Sequence, residues 1–239
     1  MAKRVIYVTA DKGGTGKSTC SRGFADVYLQ RTLRTLFYDC DKRNSQLFRH
    51  YNNIHPVNRL DIFSRGGADA LLDDLESEKP EIVLVDLPAQ AGEAFEKQEK
   101  ELRLFEDAKE LGYQSTVVTV LSRVKDCVNS LRLLLEHCDD RCDYVVVKNL
   151  FYSEEHKFAR YNDSNTRQEV LKRGGVEIAL PDLFDTTYDF IDNNNLTFRD
   201  ALQSSTASRA NRSRVHSWLN QLEAEMQRAG EYLGLGASK

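Results

Sequence analysis

Asp11-Lys12-Gly13-Gly14-Thr15-Gly16-Lys17-Ser18-Thr19 is the stretch on which the fold turns. An apolar run, Val5-Ile6-Tyr7-Val8-Thr9-Ala10, leads into it, and a segment with helical spacing follows from about Lys17 to Arg31. Strand, glycine-rich loop and helix in that order make a phosphate-binding loop. A polyphosphate needs backbone N–H groups converging on it, and a helix N-terminus supplies partial positive charge there. Glycines let the backbone approach without Cβ clashes. Gly13, Gly14, Thr15, Gly16 and Thr19 are thus candidate cradle residues. Lys17 is the candidate to neutralise the β- and γ-phosphates, and the Ser18 hydroxyl the candidate Mg²⁺ ligand.

Two further carboxylate sites extend this reading. Thr35-Leu36-Phe37-Tyr38 reads as a buried strand ending in Asp39-Cys40-Asp41. Glu81-Ile82-Val83-Leu84-Val85-Asp86 reads as another, four consecutive apolar residues delivering an aspartate. Acidic residues at strand ends lie at the sheet edge where open α/β folds bind ligands. Asp86 then holds Mg²⁺ through a water, and Ser18, Asp39 and Asp86 form the candidate metal set.

The rest of the chain alternates between the two periodicities. Helices are expected over about 68–78, 93–111 (a charged, mostly solvated face), 124–137, 166–173, 183–192 and 209–232, and strands over 57–63, 115–121, 144–147 and 176–180. On the first helix Phe24, Val27 and Tyr28 have inward spacing and Arg22, Asp26 and Gln30 outward spacing. Residues 151–163 read as a long polar and aromatic connection, a length usual for functional loops. With no repeat and no linker, the expectation is one domain over 1–239: a doubly wound, mostly parallel α/β sheet of about seven strands flanked by helices.

Composition narrows the function classes. The net charge of −4 does not advertise nucleic-acid binding, so any such site must be a local patch. No apolar run is long enough to span a membrane, and the N-terminus enters a strand with no signal-peptide core, so a cytoplasmic protein is expected. The five cysteines read as reduced thiols; a metal at His137-Cys138 and Cys142 lacks a second ligand pair nearby in sequence.

The loop departs from the common pattern. Asp11 stands where a glycine is usual, and a second lysine, Lys12, precedes Gly13-Gly14. This K-G-G-x-G-K-[ST] form resembles the deviant Walker A loop of the ParA/MinD ATPases. The resemblance implies ATP and Mg²⁺ as cofactors and a homodimer when ATP is bound, with Lys12 crossing the interface to the nucleotide of the other subunit. It implies that Asp41, in a D-x-D-P first switch whose proline is here Lys42, positions the attacking water; Lys12, Lys17 and Asp41 are then the catalytic set. Leu87-Pro88-Ala89 resembles the second switch, with Gln90 where the family often has glycine. By the same resemblance Asn149 contacts adenine, and the loop opening with Pro181-Asp182 lies beside the base. A nearer likeness, to the TraL/StbB-type ATPases of conjugative plasmids, rests on the N-terminal strand and loop, on Leu196-Thr197-Phe198 with Ala201-Leu202, and on the basic helix after them.

Arg199, Arg209, Arg212 and Arg214 gather near the start of the last helix. ParA-type ATPases bind DNA nonspecifically through basic residues in this part of the chain; a solvated helix face accounts for them equally well. Trp218, Leu222, Met226, Ala229 and Leu233 form a stripe at helical spacing, read as core rather than as a membrane anchor because acidic residues flank it.

The resulting expectation is an ATP-driven dimerising switch in plasmid transfer, partition or positioning, with a plasmid-encoded DNA-binding partner. The alternative is an ATP-dependent ligase of the dethiobiotin or cobyrinate type. An envelope tyrosine kinase lacks its C-terminal tyrosine cluster, and an iron–sulfur reductase lacks its interface cysteines, none standing between Cys40 and Cys127. ATP rather than GTP follows from the family likeness and from the lack of an N-K-x-D stretch.

Overall fold

Unbroken apolar runs dictate strands buried on both faces, and that is the arrangement found. The computed structural model describes residues 3–10 and 12–236. Its strands are β1 (Lys3–Thr9), β2 (Thr35–Asp39), β3 (Val57–Arg59), β4 (Ile82–Asp86), β5 (Tyr113–Leu121), β6 (Asp143–Asn149) and β7 (Val176–Leu180). They form one seven-stranded sheet in the order β3-β2-β4-β1-β5-β6-β7, parallel throughout.

The helices are α1 (Lys17–Gln30), α2 (Gln46–Tyr51), α3 (Asp69–Ser77), α4 (Gly92–Leu102), α5 (Leu104–Glu110), α6 (Lys125–Cys138), α7 (Ala159–Asn162), α8 (Asn165–Lys172), α9 (Asp185–Asn193), α10 (Phe198–Gln203) and α11 (Arg209–Ala229). Side chains of β1 alternate between two cores. Ile6 and Val8 join α1 and α11, whereas Val5 and Tyr7 join α4, α5 and α6. The central strand therefore points the C-terminal end of β1, and the loop after it, at the crevice between helix layers where such sheets bind ligands. The expected stripe Trp218, Leu222, Met226 and Ala229 on α11, with Leu233 in the 3₁₀ turn after it, is buried as core. Gly23 allows α1 and α11 to approach closely: a Cβ there would lie 2.3 Å from Leu222 Cδ2.

Five sequence expectations are corrected. Arg22 and Asp26, spaced outward on α1, are 0 % and 1 % exposed. α2 and α10 cover the face that periodicity assigns to solvent, and both side chains are bonded there. The single helix expected over 93–111 is two, broken at Arg103 with φ 48°. Phe95 and Phe105 both pack on the Tyr7 ring, at 5.0 and 5.9 Å. A straight helix would turn them about 80° apart, so the break aims both inward. Nor is that stretch mostly solvated: Gln98 and Glu99 are buried, Glu99 accepting from His137 Nε2 at 3.0 Å and Arg141 Nη1 at 2.6 Å. The third strand ends at Arg59 rather than residue 63, and the connection after Asn149 contains a 3₁₀ turn and α7.

Candidate nucleotide-binding site

The loop between β1 and α1 curls as its glycines allow. Gly14 and Gly16 have φ of 79° and 92°, the left-handed region, and Gly16 caps α1. Lys12, Gly13, Gly14, Thr15, Gly16, Lys17, Ser18 and Thr19 line a cavity of about 240 Å³ together with Asp41, Asn44, Gln46, Ala89 and Tyr188. Asp11 lies outside the described residues. The two lysines part company: Lys17 is buried in the cradle, and Lys12 is exposed at its edge.

Inside the cradle Lys17 Nζ donates to Ser18 Oγ at 3.2 Å and pairs with Asp86 Oδ1 at 3.0 Å, an oxygen that also accepts from Ser21 Oγ at 2.9 Å. Asp86 Oδ2 and Thr15 Oγ1 are buried and have no partner among the described residues. Buried orphans of this kind are rare; Thr15 lines the cavity, and Asp86 lies behind it, bonded to the lining residue Lys17. A hard cation with oxygen ligands fits this corner, with the Ser18 hydroxyl and Asp86 Oδ2 as protein groups near it. No three His, Cys, Asp or Glu side chains converge to hold a metal among the described residues, His137, Cys138 and Cys142 included. A cation here therefore needs nucleotide and water oxygens to complete its shell.

Asp39 faces Asp86 across the β2–β4 ladder. Burial and the neighbouring Asp86 carboxylate push its pKa up to about 6. Both of its oxygens accept backbone N–H groups, Oδ1 from Asp41 at 3.0 Å and Oδ2 from Phe48 at 2.9 Å, so Asp39 holds the turn that carries Asp41. Asp41 Oδ1 in turn accepts from Arg43 and Asn44, each at 3.0 Å, in an Asx turn, and Asp41 lines the cavity. After β4, Gln90 adopts φ 60°, a conformation that favours glycine.

A second cavity of about 480 Å³ adjoins the first and shares Gly14, Gly16, Thr19 and Tyr188 with it. Asn149, Pro181 and Asp182 all line it, with Phe151 and Trp218. An apolar, aromatic cavity opening onto a phosphate cradle has the shape a nucleoside triphosphate needs. Asn149 also braces the loop: its Nδ2 donates to Thr15 O at 2.7 Å, and its Oδ1 accepts from Phe151 N at 3.1 Å. The Tyr152 hydroxyl donates to Gly14 O.

The four arginines do not form one open cluster. Arg199 donates to Gln30, Arg212 to the carbonyls of Ser204 and Ala207, and the Arg214 guanidinium stacks 4.3 Å over the Phe184 ring. Arg209 is exposed at the start of α11.

Sequence reasoning missed Tyr188, Trp218, Ser21 and Tyr152 as site residues. Trp218 was legible as core, and it is core; its indole N–H also donates to Pro181 O at 2.7 Å, which fixes the edge of the larger cavity. Nothing in the local sequence singles out Tyr188, since it reaches the loop only through the packing of α9.

Comparison with known proteins agrees with this architecture. Protein MobD of Acidithiobacillus ferrooxidans is 26 % identical over 229 residues, covering 95 % of this chain and 98 % of that protein. The MinC:MinD cell division complex of Aquifex aeolicus superposes with a TM-score of 0.53 at 14 % identity, over 94 % of this chain and 96 % of that one. A Borrelia burgdorferi B31 protein assigned to plasmid partition, bound to AMPPNP, gives 0.55 at 14 % identity, over 95 % and 99 %. Residues 6–156, more than half of the chain, match the CobQ/CobB/MinD/ParA nucleotide binding domain. The glycine loop, the buried Lys17–Asp86 pair and the all-parallel sheet are thus those of a family member, and the chain belongs to the CobQ/CobB/MinD/ParA nucleotide-binding family.

Proposed function

We propose that this chain, acting as one domain, is an ATP-hydrolysing switch that dimerises on ATP and serves plasmid DNA in transfer, partition or positioning. The observation that carries the reading is the division between two lysines on one loop, Lys17 buried against Asp86 and Lys12 exposed at the mouth of the cradle. One lysine serves the phosphates of its own subunit. The other faces outward, where a second copy can present its nucleotide.

In this reading the loop N–H groups, Lys17 and the N-terminus of α1 bind and orient the triphosphate. Bound Mg²⁺ supplies charge neutralisation at the phosphates, near Ser18 and Asp86. Asp41, on a turn held by Asp39, orients the attacking water, and Lys12 of each copy completes the charge on the other's phosphates. Asn149, Pro181 and Asp182 border the base. Likeness to MobD, together with the Leu196–Leu202 stretch, favours a role in plasmid mobilisation, with a plasmid-encoded DNA-binding partner; Arg209 and its neighbours are candidate contacts to DNA phosphates.

Sedimentation of the wild type and Lys12→Ala with Mg²⁺ and ATP, ADP or no nucleotide tests this. The expected result is a dimer with ATP alone, lost in Lys12→Ala. A single size under all conditions, or normal dimerisation of Lys12→Ala, overturns it. Steady turnover that depends on an added small carboxylate would favour the ligase reading instead.

A further inference from the structure

The guanidinium of Arg22 is fully buried one turn beyond the phosphate loop. Periodicity gives it no reason to be there, and burying a charge is costly unless paired. Its nearest carboxylate, Asp192, lies at 3.7 Å and is itself one-third exposed. Volume alone could be filled by an apolar side chain with equal or greater stability. What the guanidinium adds is a rigid planar fork that can bond in two directions at once.

One prong faces the nucleotide cavities. Nη1 lies 3.3 Å from Gln46 Oε1 and 3.5 Å from the Tyr188 hydroxyl. Gln46 and Tyr188 both line the phosphate cavity, and the Tyr188 hydroxyl is 3.2 Å from Thr19 Oγ1 on the loop helix. The other prong faces away. Nη2 lies 3.5 Å from Leu196 O and against the His50 ring, whose Nδ1 donates to Leu196 O at 2.7 Å. The plane of the fork packs 4.9 Å from the Phe198 ring, the first residue of α10. Arg22 Nε has no partner among the described residues, so the fork has a donor to spare if it shifts. Leu196 to Leu202 is the stretch that the sequence sets apart and that neither cavity uses. It carries Arg199.

We infer that Arg22 is a positioning residue that ties occupancy of the phosphate cavity, through Tyr188 and Gln46, to the 196–203 segment. The inference rests on the nucleotide-switch reading and gives it a route to the surface. Phosphate oxygens and their cation compete for the Thr19 hydroxyl and the Gln46 amide, groups that bond Tyr188 and Arg22. A fork that loses a partner at one prong rotates as a unit and alters its bonds at the other. ATP thereby favours one arrangement of Leu196 and α10, as a ligand with unequal contacts in two states must.

Hydrogen–deuterium exchange of the full chain, with and without Mg²⁺ and ATP, reads both ends in one experiment. The variants are Arg22→Met, which keeps most of the volume, and Asp192→Ala, which removes the partly exposed counter-charge that Arg22 shares with Arg49 and His50. The wild type is expected to show ATP-dependent slowing at residues 12–19 and at 194–204. Both variants are expected to keep it at 12–19 and to lose it at 194–204 by about threefold or more. A purely structural role would change exchange at 194–204 without nucleotide and leave the ATP-dependent difference intact. That result, or full protection of 194–204 in both variants, overturns the inference; should Arg22→Met fail to fold, Asp192→Ala decides. No protection at 12–19 in the wild type instead removes the nucleotide reading on which the inference stands.

Discussion

Lys17 Nζ and Asp86 Oδ1 form a buried ion pair at 3.0 Å, joining the first residue of α1 to the last residue of β4. Asp86 is 0 % exposed, and among the described residues only Lys17 offsets its charge within bonding distance, with Ser21 as the one other side-chain donor. The pair links stability to the proposed phosphate site, because the same ammonium serves both.

Lys17→Met is therefore expected to lose nucleotide binding and also to destabilise the fold by about 3–5 kcal/mol, the cost of a buried unpaired carboxylate. Adding Asp86→Asn should restore most of the stability while leaving binding absent. Urea unfolding of the single and double variants, beside a fluorescent-nucleotide titration, separates the two effects. Equal stability of Lys17→Met and wild type would show that the pair is not structurally coupled.

Gly16 cannot accept a side chain. A Cβ would stand 2.1 Å from Asn149 Nδ2, and its φ of 92° strains any L-residue. Gly16→Ala is expected to cost about 2–4 kcal/mol and to weaken nucleotide binding at least about 100-fold. Asn149→Ala in that background clears the clash but leaves the strain and deprives Thr15 O of its donor, so rescue should be partial. Complete rescue would mean that the steric contact alone matters.

Acid stability should carry two opposing slopes. Burial and the adjacent Arg22 charge lower His50 to about 4, below its ordinary value near 6.5. Its contribution to stability is full above about pH 6.5 and is lost as pH falls toward 4. Asp26 runs the other way: burial raises it to about 6, against bonds from Tyr51 and Phe198 that lower it. Its contribution is full below about pH 4 and is lost as pH rises through 6. From pH 7 to 4.5, His50→Gln should thus lose less stability than the wild type, and Asp26→Asn more, each by about 1–2 kcal/mol. Urea midpoints at four pH values check the signs; parallel curves for all three proteins would refute the assignment.

Gln90 holds a left-handed φ of 60° in the segment after Asp86. Gln90→Gly should leave stability within about 1 kcal/mol of wild type, since relief of strain offsets the added freedom of the unfolded chain. Gln90→Val should lose about 1–2 kcal/mol, because a β-branched residue tolerates that region worst. Thermal unfolding distinguishes them, and a neutral valine would show that the turn rearranges freely.

Much of the fold was legible in the chain because it is written locally. Val5 to Ala10 followed by the glycine loop, and the apolar runs ending at Asp39 and Asp86, specify buried parallel strands delivering carboxylates to one edge. The α11 stripe reads as core for the same reason, a period of 3.6. The sign of the loop's chemistry is local too, since glycines, Lys17 and Ser18 stand in sequence.

What the sequence alone determined, then, is the strand–loop–helix proposed to hold phosphate and the order of elements that builds a parallel sheet around it. Only the tertiary structure decided which polar residues are buried and what they bond. Arg22 and Asp26 look outward on an isolated helix, but α1 is enclosed by elements from distant parts of the chain, and their partners Leu196 and Phe198 stand more than 170 residues away. Asn149 meets Thr15 across 134 residues, and Tyr188 meets Thr19 across 169. Such pairings leave no periodicity to read. They exist because two helix layers close over a sheet, and a buried polar group must find its partner wherever that closure happens to bring one.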